Sequence, residues 1–311
     1  MRGLDLRIFD FDYDRSWMAL FIAPEGRVLG RFGGTDLEGA KRLSAFHLAL
    51  KNALARHASR RKDGLPAGAL PAEDYASARK APPRSCIHCH HVHEFQRADA
   101  LPKGAWTPAG EYRYPEPAAL GLTLDPEDAS RIQETAPDSP AGRASVRAGD
   151  FILSAHGVPI ASRADLSFAL DRAPAAGKLG LVILRSGVEK RIDLDLPARW
   201  KEQTDISWRW SLKALAPDPP VAGDALDDIE RKALGIPADR LALRQGPFLS
   251  DAARHAGVRI GDIIVGVDGM RPRLTGRQFE AWFRLSHRPG QETTLLVLRG
   301  KEELTIRLRL P

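Results

Sequence analysis

Cysteine is nearly missing from this chain of 311 residues. It holds only Cys86 and Cys89, three positions apart, so a disulfide between them would close a tiny loop. Long apolar runs are missing too. None approaches the roughly 18 residues needed to span a bilayer, which excludes a transmembrane segment of that kind. The opening stretch, Met1 to Asp14, carries Asp5, Asp10, Asp12 and Asp14 and lacks the basic-then-apolar order of a signal peptide. Charge of one sign is dense only at Arg56, Arg60, Arg61 and Lys62, at the expected end of a helix, where it complements the helix dipole. Over the whole chain 46 Lys and Arg mingle with 40 Asp and Glu, for a net charge of +6. No aromatic residues interleave with the basic cluster, so no nucleic-acid partner is expected. The hydrolase spelling G-x-S-x-G does not occur. His93-Glu94 runs on into Phe95, Gln96 and Arg97 without the second His of H-E-x-x-H. A complete self-contained enzyme is therefore not expected.

What is present is an ordinary globular composition, 43% hydrophobic and 28% charged, enough for two or three domains. Residues 4–33 read as strands. Leu4, Leu6, Ile8, Phe9 and Phe11 make one apolar stretch, and Trp17–Ile22 with Arg27–Phe32 make a hairpin around Pro24-Glu25-Gly26. Thr35-Asp36-Leu37-Glu38 spells a capping box. The helix it opens is expected to bury Leu37, Ala40, Leu43, Phe46, Leu50 and Leu54. Phe11-Asp12-Tyr13-Asp14, Ala19-Leu20-Phe21-Ile22, Gly30-Arg31-Phe32-Gly33 and this helix resemble the C-terminal half of a thioredoxin fold. The dithiol motif and the proline of that fold are absent from the segment.

Residues 63–117 carry Pro66, Pro71, Pro82, Pro83, Pro102, Pro108, Pro115 and Pro117, and are expected to be a linker. Within them Cys86-Ile87-His88-Cys89-His90-His91-Val92-His93 contains the C-x-x-C-H spelling of covalent haem c attachment. Two thiols at this spacing can reach both vinyl groups, and the next histidine can ligate iron. Cys86 and Cys89 would then carry thioethers, His90 the proximal bond, and His93 or His91 the sixth position. A zinc site using both thiols and two of His88, His90, His91 and His93 is an alternative. So are a reversible dithiol, a disulfide, and a loop without a role.

The chain repeats itself. Ala144-Ser145-Val146-Arg147-Ala148-Gly149-Asp150-Phe151-Ile152-Leu153 matches Ala256-Gly257-Val258-Arg259-Ile260-Gly261-Asp262-Ile263-Ile264-Val265. Each copy continues into an amphipathic helix, Ser162 to Ala173 and Thr275 to Leu285. Each then reaches a strand pair, Gly180–Arg185 with Lys190–Leu196 and Thr293–Arg299 with Leu304–Leu310. This order resembles the bacterial form of the PDZ domain. The Gly-Asp corner reads as structural, the glycine permitting a turn that the aspartate caps. In that family a peptide adds to a strand edge beside a helix, and loop amides hold its terminal carboxylate. The resemblance therefore implies that Leu120, Gly121, Leu122, Thr123 and Leu124, with Leu166 and Leu170 from the helix, bind an extended peptide or protein C-terminus. In the second copy Ala233-Leu234-Gly235-Ile236 is the weaker match, and Pro237 after it would remove a ladder donor. Trp200, Trp208 and Trp210 between the copies are expected to cover a seam.

The fold class expected is α+β: a partial thioredoxin-like half (1–62), a Pro-rich link (63–117), a PDZ-like β-sandwich or barrel domain (118–197), a Trp-containing link (198–231) and a second PDZ-like domain (232–311). The order resembles a bacterial family of thioredoxin-like/PDZ (seleno)proteins, on Ser85-Cys86-Ile87-His88-Cys89-His90, Tyr114-Pro115, Gly121-Leu122-Thr123-Leu124-Asp125 and Asp205-Ile206-Ser207-Trp208-Arg209. That resemblance implies an exported, periplasmic, redox-accessory peptide-binding scaffold. The alternative is a thiol–disulfide oxidoreductase using Cys86 and Cys89.

Overall fold

The computed structural model of the protein describes residues 1–34, 43–58, 69–80, 82 and 85–311. The capping box from Thr35 to Glu38, the basic residues Arg60, Arg61 and Lys62, and Pro66 and Pro83 lie outside the described residues. Two compact units divide the chain, Met1–Thr204 and Asp205–Pro311.

In the first unit, residues 4–11 form turns in place of the expected strand. Asp5 is the cause. Its Oδ1 accepts the backbone N–H of Arg7 at 3.1 Å and of Leu70 at 3.1 Å, while its carbonyl accepts from Ile8 and Phe9. A short acidic side chain that binds the local backbone competes with a strand ladder. The hairpin does form: β1 (Trp17–Ile22) pairs antiparallel with β2 (Val28–Gly34). Helix α1 (Leu43–Ala58) buries Ala45, Ala49 and Ala53, one residue every four, against that hairpin. Leu43 and Leu54, expected inside, are 68% and 62% exposed. Small residues let the helix lie close to the strands, so the alanine stripe faces inward and not the leucines.

The segment read as a linker is structured. Helix α2 (His91–Ala100) turns Val92 and His93 inward, and Ile87 and Val92 join Leu6, Phe11, Tyr13 and Ala72 in one buried cluster. Prolines here open short 3-10 turns, as at Pro108–Glu111 and Pro117–Leu120, where a missing N–H costs nothing.

The first repeat follows. Strand β3 (Leu122–Leu124) pairs with β4 (Ile132–Thr135), and α3 (Pro140–Arg143) leads to the corner. Strands β5 (Phe151–Ala155), β6 (Val158–Pro159), β7 (Gly177–Arg185) and β8 (Val188–Leu196) form a sheet in the order β6-β5-β7-β8, with helix α4 (Arg163–Arg172) between β6 and β7 in sequence. Leu120, Ile132, Ile152, Leu166, Leu170, Leu181 and Leu194 fill the core, each stabilising by roughly 1.5–3 kcal/mol on burial. Trp200 belongs to this core, 1% exposed, its Nε1–H donating to Pro174 O at 2.9 Å.

The second unit holds β9 (Gly223–Ala225), α5 (Asp228–Ala233), β10 (Leu243–Gln245), α6 (Asp251–His255), β11 (Ile263–Val267), α7 (Gly276–Ser286), β12 (Glu292–Arg299) and β13 (Glu302–Arg309). Its sheet order is β13-β12-β11-β10-β9. The edge strand β9 comes from the stretch expected to be a link, so this repeat begins before residue 232.

The two corners are built alike. Asp150 accepts the Arg147 N–H at 2.9 Å and two bonds from the Arg185 guanidinium, whose Nη2 also donates to Ser145 O. Asp262 accepts the Arg259 N–H at 2.8 Å and two bonds from Arg299, whose Nη2 donates to Gly257 O. Burial pushes each carboxyl up, but the arginine bonds prevail and hold both below the ordinary aspartate range. The glycine-aspartate corner is therefore a clamp that ties the turn to the C-terminal hairpin of each repeat.

Candidate peptide-binding groove

In the first repeat the residues expected to meet a peptide are mostly core. Leu120, Leu122, Leu166 and Leu170 are at most 2% exposed. Thr123 is exposed and Leu124 half-buried. Gly121 has φ +79°, and a Cβ there would stand 2.1 Å from Ser139 Oγ, so close packing demands the glycine. The outer surface of α4 is covered by the same unit. Arg31 and Arg172 lie over the Phe168 ring at 3.3 and 3.4 Å, and Asp171 Oδ1 accepts the Tyr114 N–H at 3.0 Å. Arg163 binds Glu116 at 2.7 Å. Ala164 and Ser167 of α4 line, with Phe11, Asp12 and Met18, a cavity of only about 10 Å³. The helix face expected to grip a ligand is thus filled, and the open space of this unit, about 380 Å³, lies instead between β2 and β6 beside Asp165.

The second repeat is open. A groove of about 420 Å³ runs between β9 and α7, lined by Gly223, Asp224 and Ala225 on the strand and by Thr275, Arg277, Glu280, Ala281 and Arg284 on the helix. Local sequence explains both walls. Thr275 caps α7 in a reciprocal box with Gln278. Phe279 and Phe283, 0% exposed, anchor the inner face and leave Arg277 and Glu280 exposed, with Arg284 half-buried and Ala281 buried at the groove wall. On β9, the Leu226 N–H binds Ala242 O and the Ala222 carbonyl accepts from Gly246. By antiparallel alternation, the N–H and C=O groups of Gly223 and Ala225 face the groove. No other strand pairs with that edge among the described residues.

The groove floor and rim come from Ser207 to Lys213. Trp208 and Trp210, expected at a seam, sit here, with Arg209 stacked on the former at 4.8 Å and Lys213 on the latter at 3.8 Å. Asp205 accepts from Ser207 N and Gln278 Nε2. Burial pushes its carboxyl up, but these bonds keep it below the usual range. The loop before β9 differs from an amide cradle. Gln245 binds the second corner as Ile132 binds the first, and the strands pairing with them place Pro217 to Val221 where Ala118 to Leu122 stand. Pro217, Pro219 and Pro220 have no N–H to offer a carboxylate. Ala233 to Ile236, the sequence match for this loop, instead closes α5.

The Cys-His segment divides. Cys86 is exposed, while the Cys89 sulfur is 3.6 Å from Met1 Sδ beside the apolar cluster of Leu6, Ile87 and Val92. His90 Nδ1 meets Glu94 Oε1 at 2.7 Å in a half-exposed group with His91. His93 is buried beside Asp12 and Asp14. His90 and His93, expected to share a metal, thus belong to different clusters. Among the described residues no such cluster includes a cysteine.

No family model matches the chain. Over 145 residues it is 27% identical to the periplasmic serine endoprotease DegP of Escherichia coli (strain K12), covering 47% of this chain and 31% of that protein. Over 193 residues it is 27% identical to the periplasmic pH-dependent serine endoprotease DegQ of the same organism, covering 61% and 38%. The chain therefore spans about a third of the length of these curated relatives. Among solved structures, the HtrA3 PDZ domain bound to a phage-derived ligand is 25% identical, over 24% of this chain and 78% of that one, with a TM-score of 0.20. The HtrA-type protease AlgW with a decapeptide is 19% identical, over 42% and 41%, with a TM-score of 0.26. The α+β class stands on the strands and helices of the chain itself, and these relationships are compatible with PDZ-like domains. They lend nothing to the thioredoxin-like half or the (seleno)protein assignment. The relatives are serine endoproteases, which overturns the expected redox-accessory scaffold and, with it, the oxidoreductase alternative. Their periplasmic location supports the exported location that the family resemblance implied. Among the described residues, no helix is long and apolar enough to cross a membrane.

Proposed function

We propose that the chain is a peptide-recognition unit of the periplasmic endoprotease type. The second repeat captures an extended segment along β9, and the first repeat acts as a closed structural module. The open edge of Gly223–Ala225 facing α7 across about 420 Å³ carries this reading. An incoming strand gains backbone bonds from the edge, and side chains at alternate positions reach the helix. Because prolines replace the loop amides, the segment is internal and needs no free C-terminus. Of the lining cations, Arg284 is ion-paired with Asp218 and Arg209 is buried against Trp208, which sets Lys213 and Arg277 against Asp224 and Glu280, so the groove favours neither charge.

The test starts from peptides selected against the full chain from a randomised display library and synthesised with free and with amidated C-termini. Both forms bind alike by fluorescence anisotropy. Ala225→Pro deletes one outward N–H and spares the bonds to β10, so affinity falls about 3–10-fold, the worth of one hydrogen bond. Peptides that all demand a free carboxylate, or that ignore Ala225→Pro, would put the site elsewhere.

A further inference from the structure

We infer that Asp12, Asp14 and His93 form a binding site for a divalent cation of the zinc class. All three residues are buried, at 4, 5 and 5% exposure, and their ligand atoms lie within 4.8 Å of one another. The observation that points to an ion is His93 Nε2. It is buried and has no hydrogen-bond partner, yet it faces Asp12 Oδ1 at 3.7 Å.

The other ring nitrogen explains the orientation. His93 Nδ1 meets Gln96 Oε1 at 3.3 Å, and the Gln96 amide is held by its own bond to the Tyr75 hydroxyl at 3.1 Å and by Arg113, which donates to the same Oε1. With its nitrogen side engaged by Tyr75, Gln96 presents only an acceptor, so Nδ1 carries the proton. In the neutral ring, Nε2 then turns a lone pair toward carboxylate oxygens. A separation of 3.7 Å is too wide for a shared proton. It suits two donors on one ion, because ligands about 2.1 Å from a tetrahedral centre stand about 3.4 Å apart. The donors agree with this use. Asp12 Oδ2 is 3.3 Å from the Arg15 guanidinium, while Oδ1, which accepts the Asp14 N–H at 3.3 Å, faces the histidine. One imidazole and two carboxylates suit a borderline divalent cation. Gln96 is the outer-shell acceptor that such a histidine ordinarily has. The site is independent of the peptide groove.

Zinc chloride titrated into the full chain tests this, with Cys86→Ser, His90→Ala and His91→Ala removing surface donors and the histidines labelled with ¹⁵N. One zinc binds per chain. The His93 Nε2 resonance moves to a metal-bound position while the Nδ1–H persists. Asp14→Asn weakens binding tenfold or more, and Gln96→Ala by about 10–100-fold, with circular dichroism reporting the fold of each variant. A His93 that carries protons on both nitrogens with zinc present, or zinc that leaves Nε2 unmoved, overturns the site. This reading comes from the intact histidine, so it decides the matter even if a variant fails to fold.

Discussion

Asp165 sits 1% exposed where α4 begins, accepting backbone N–H groups from Arg31 at 2.9 Å and Ala161 at 3.1 Å. Burial pushes its carboxyl up to about 6, against the pull of Arg56 and Arg31. A folded-state value above the unfolded one means the native state keeps the proton longer as pH rises. The stabilisation is full below pH 3.8 and is lost as pH climbs through about 6. Thermal melts of the wild type are therefore expected to lose stability over this window, by up to about 3 kcal/mol. Asp165→Asn keeps one acceptor and lacks the titration, so its melting temperature should be flatter between pH 4 and 6.5. A parallel slope in both proteins would assign the effect to other groups. Sequence could not show this residue's burial, because Asp165 looks like an ordinary acidic residue in a first helical turn. Its cost arises from β2, some 130 positions away in the chain.

The elements most legible in sequence were those whose residues satisfy local rules. Ser162 and Thr275 cap α4 and α7 where expected, and the strand pairs that follow lie within three residues of their predicted ends. The Gly-Asp corners were legible as turns. Their arginine partners were not, since Arg185 and Arg299 lie 35 and 37 positions downstream. Removing the arginine of such a clamp leaves a buried carboxylate with one of its three bonds. Arg299→Met is expected to cost about 1–3 kcal/mol in urea unfolding, while Asp262→Asn with Arg299→Met should cost less than the two single changes summed. Additive losses would mean that the pair does not act as a unit. The groove was hidden for a different reason. Val221 to Ala225 follow three prolines and contain no strand-like run, so β9 exists only because β10 offers it a partner. The α7 wall was readable, since 277, 280, 281 and 284 fall opposite Phe279 and Phe283.

Across the whole chain, proline and tryptophan marked the wrong things. Residues 63–117 looked like a tether, yet Ile87 and Val92 are packed with Leu6 and Phe11. Trp200 looked like a seam residue and is a core anchor of the Met1–Thr204 unit. Trp200→Ala is expected to destabilise that unit by about 3–5 kcal/mol, seen as faster amide exchange in α4 and β7. Unchanged exchange there would remove Trp200 from the core. Peptide capture held mainly by the backbone edge of β9 should change little as ionic strength rises from 0.05 to about 0.5 M. A steep fall with salt would mean that charge pairs carry the attraction.

The brevity of β9 has its own consequence. Three residues at about 3.3 Å each expose roughly 10 Å of ladder. Pro220 blocks extension on one side, and the turn into α5 ends it on the other. So small a template can hold a guest briefly but cannot nucleate a growing stack of chains. On the proposed peptide-recognition reading, the chain thereby keeps a docking edge without inviting its own fibrillation.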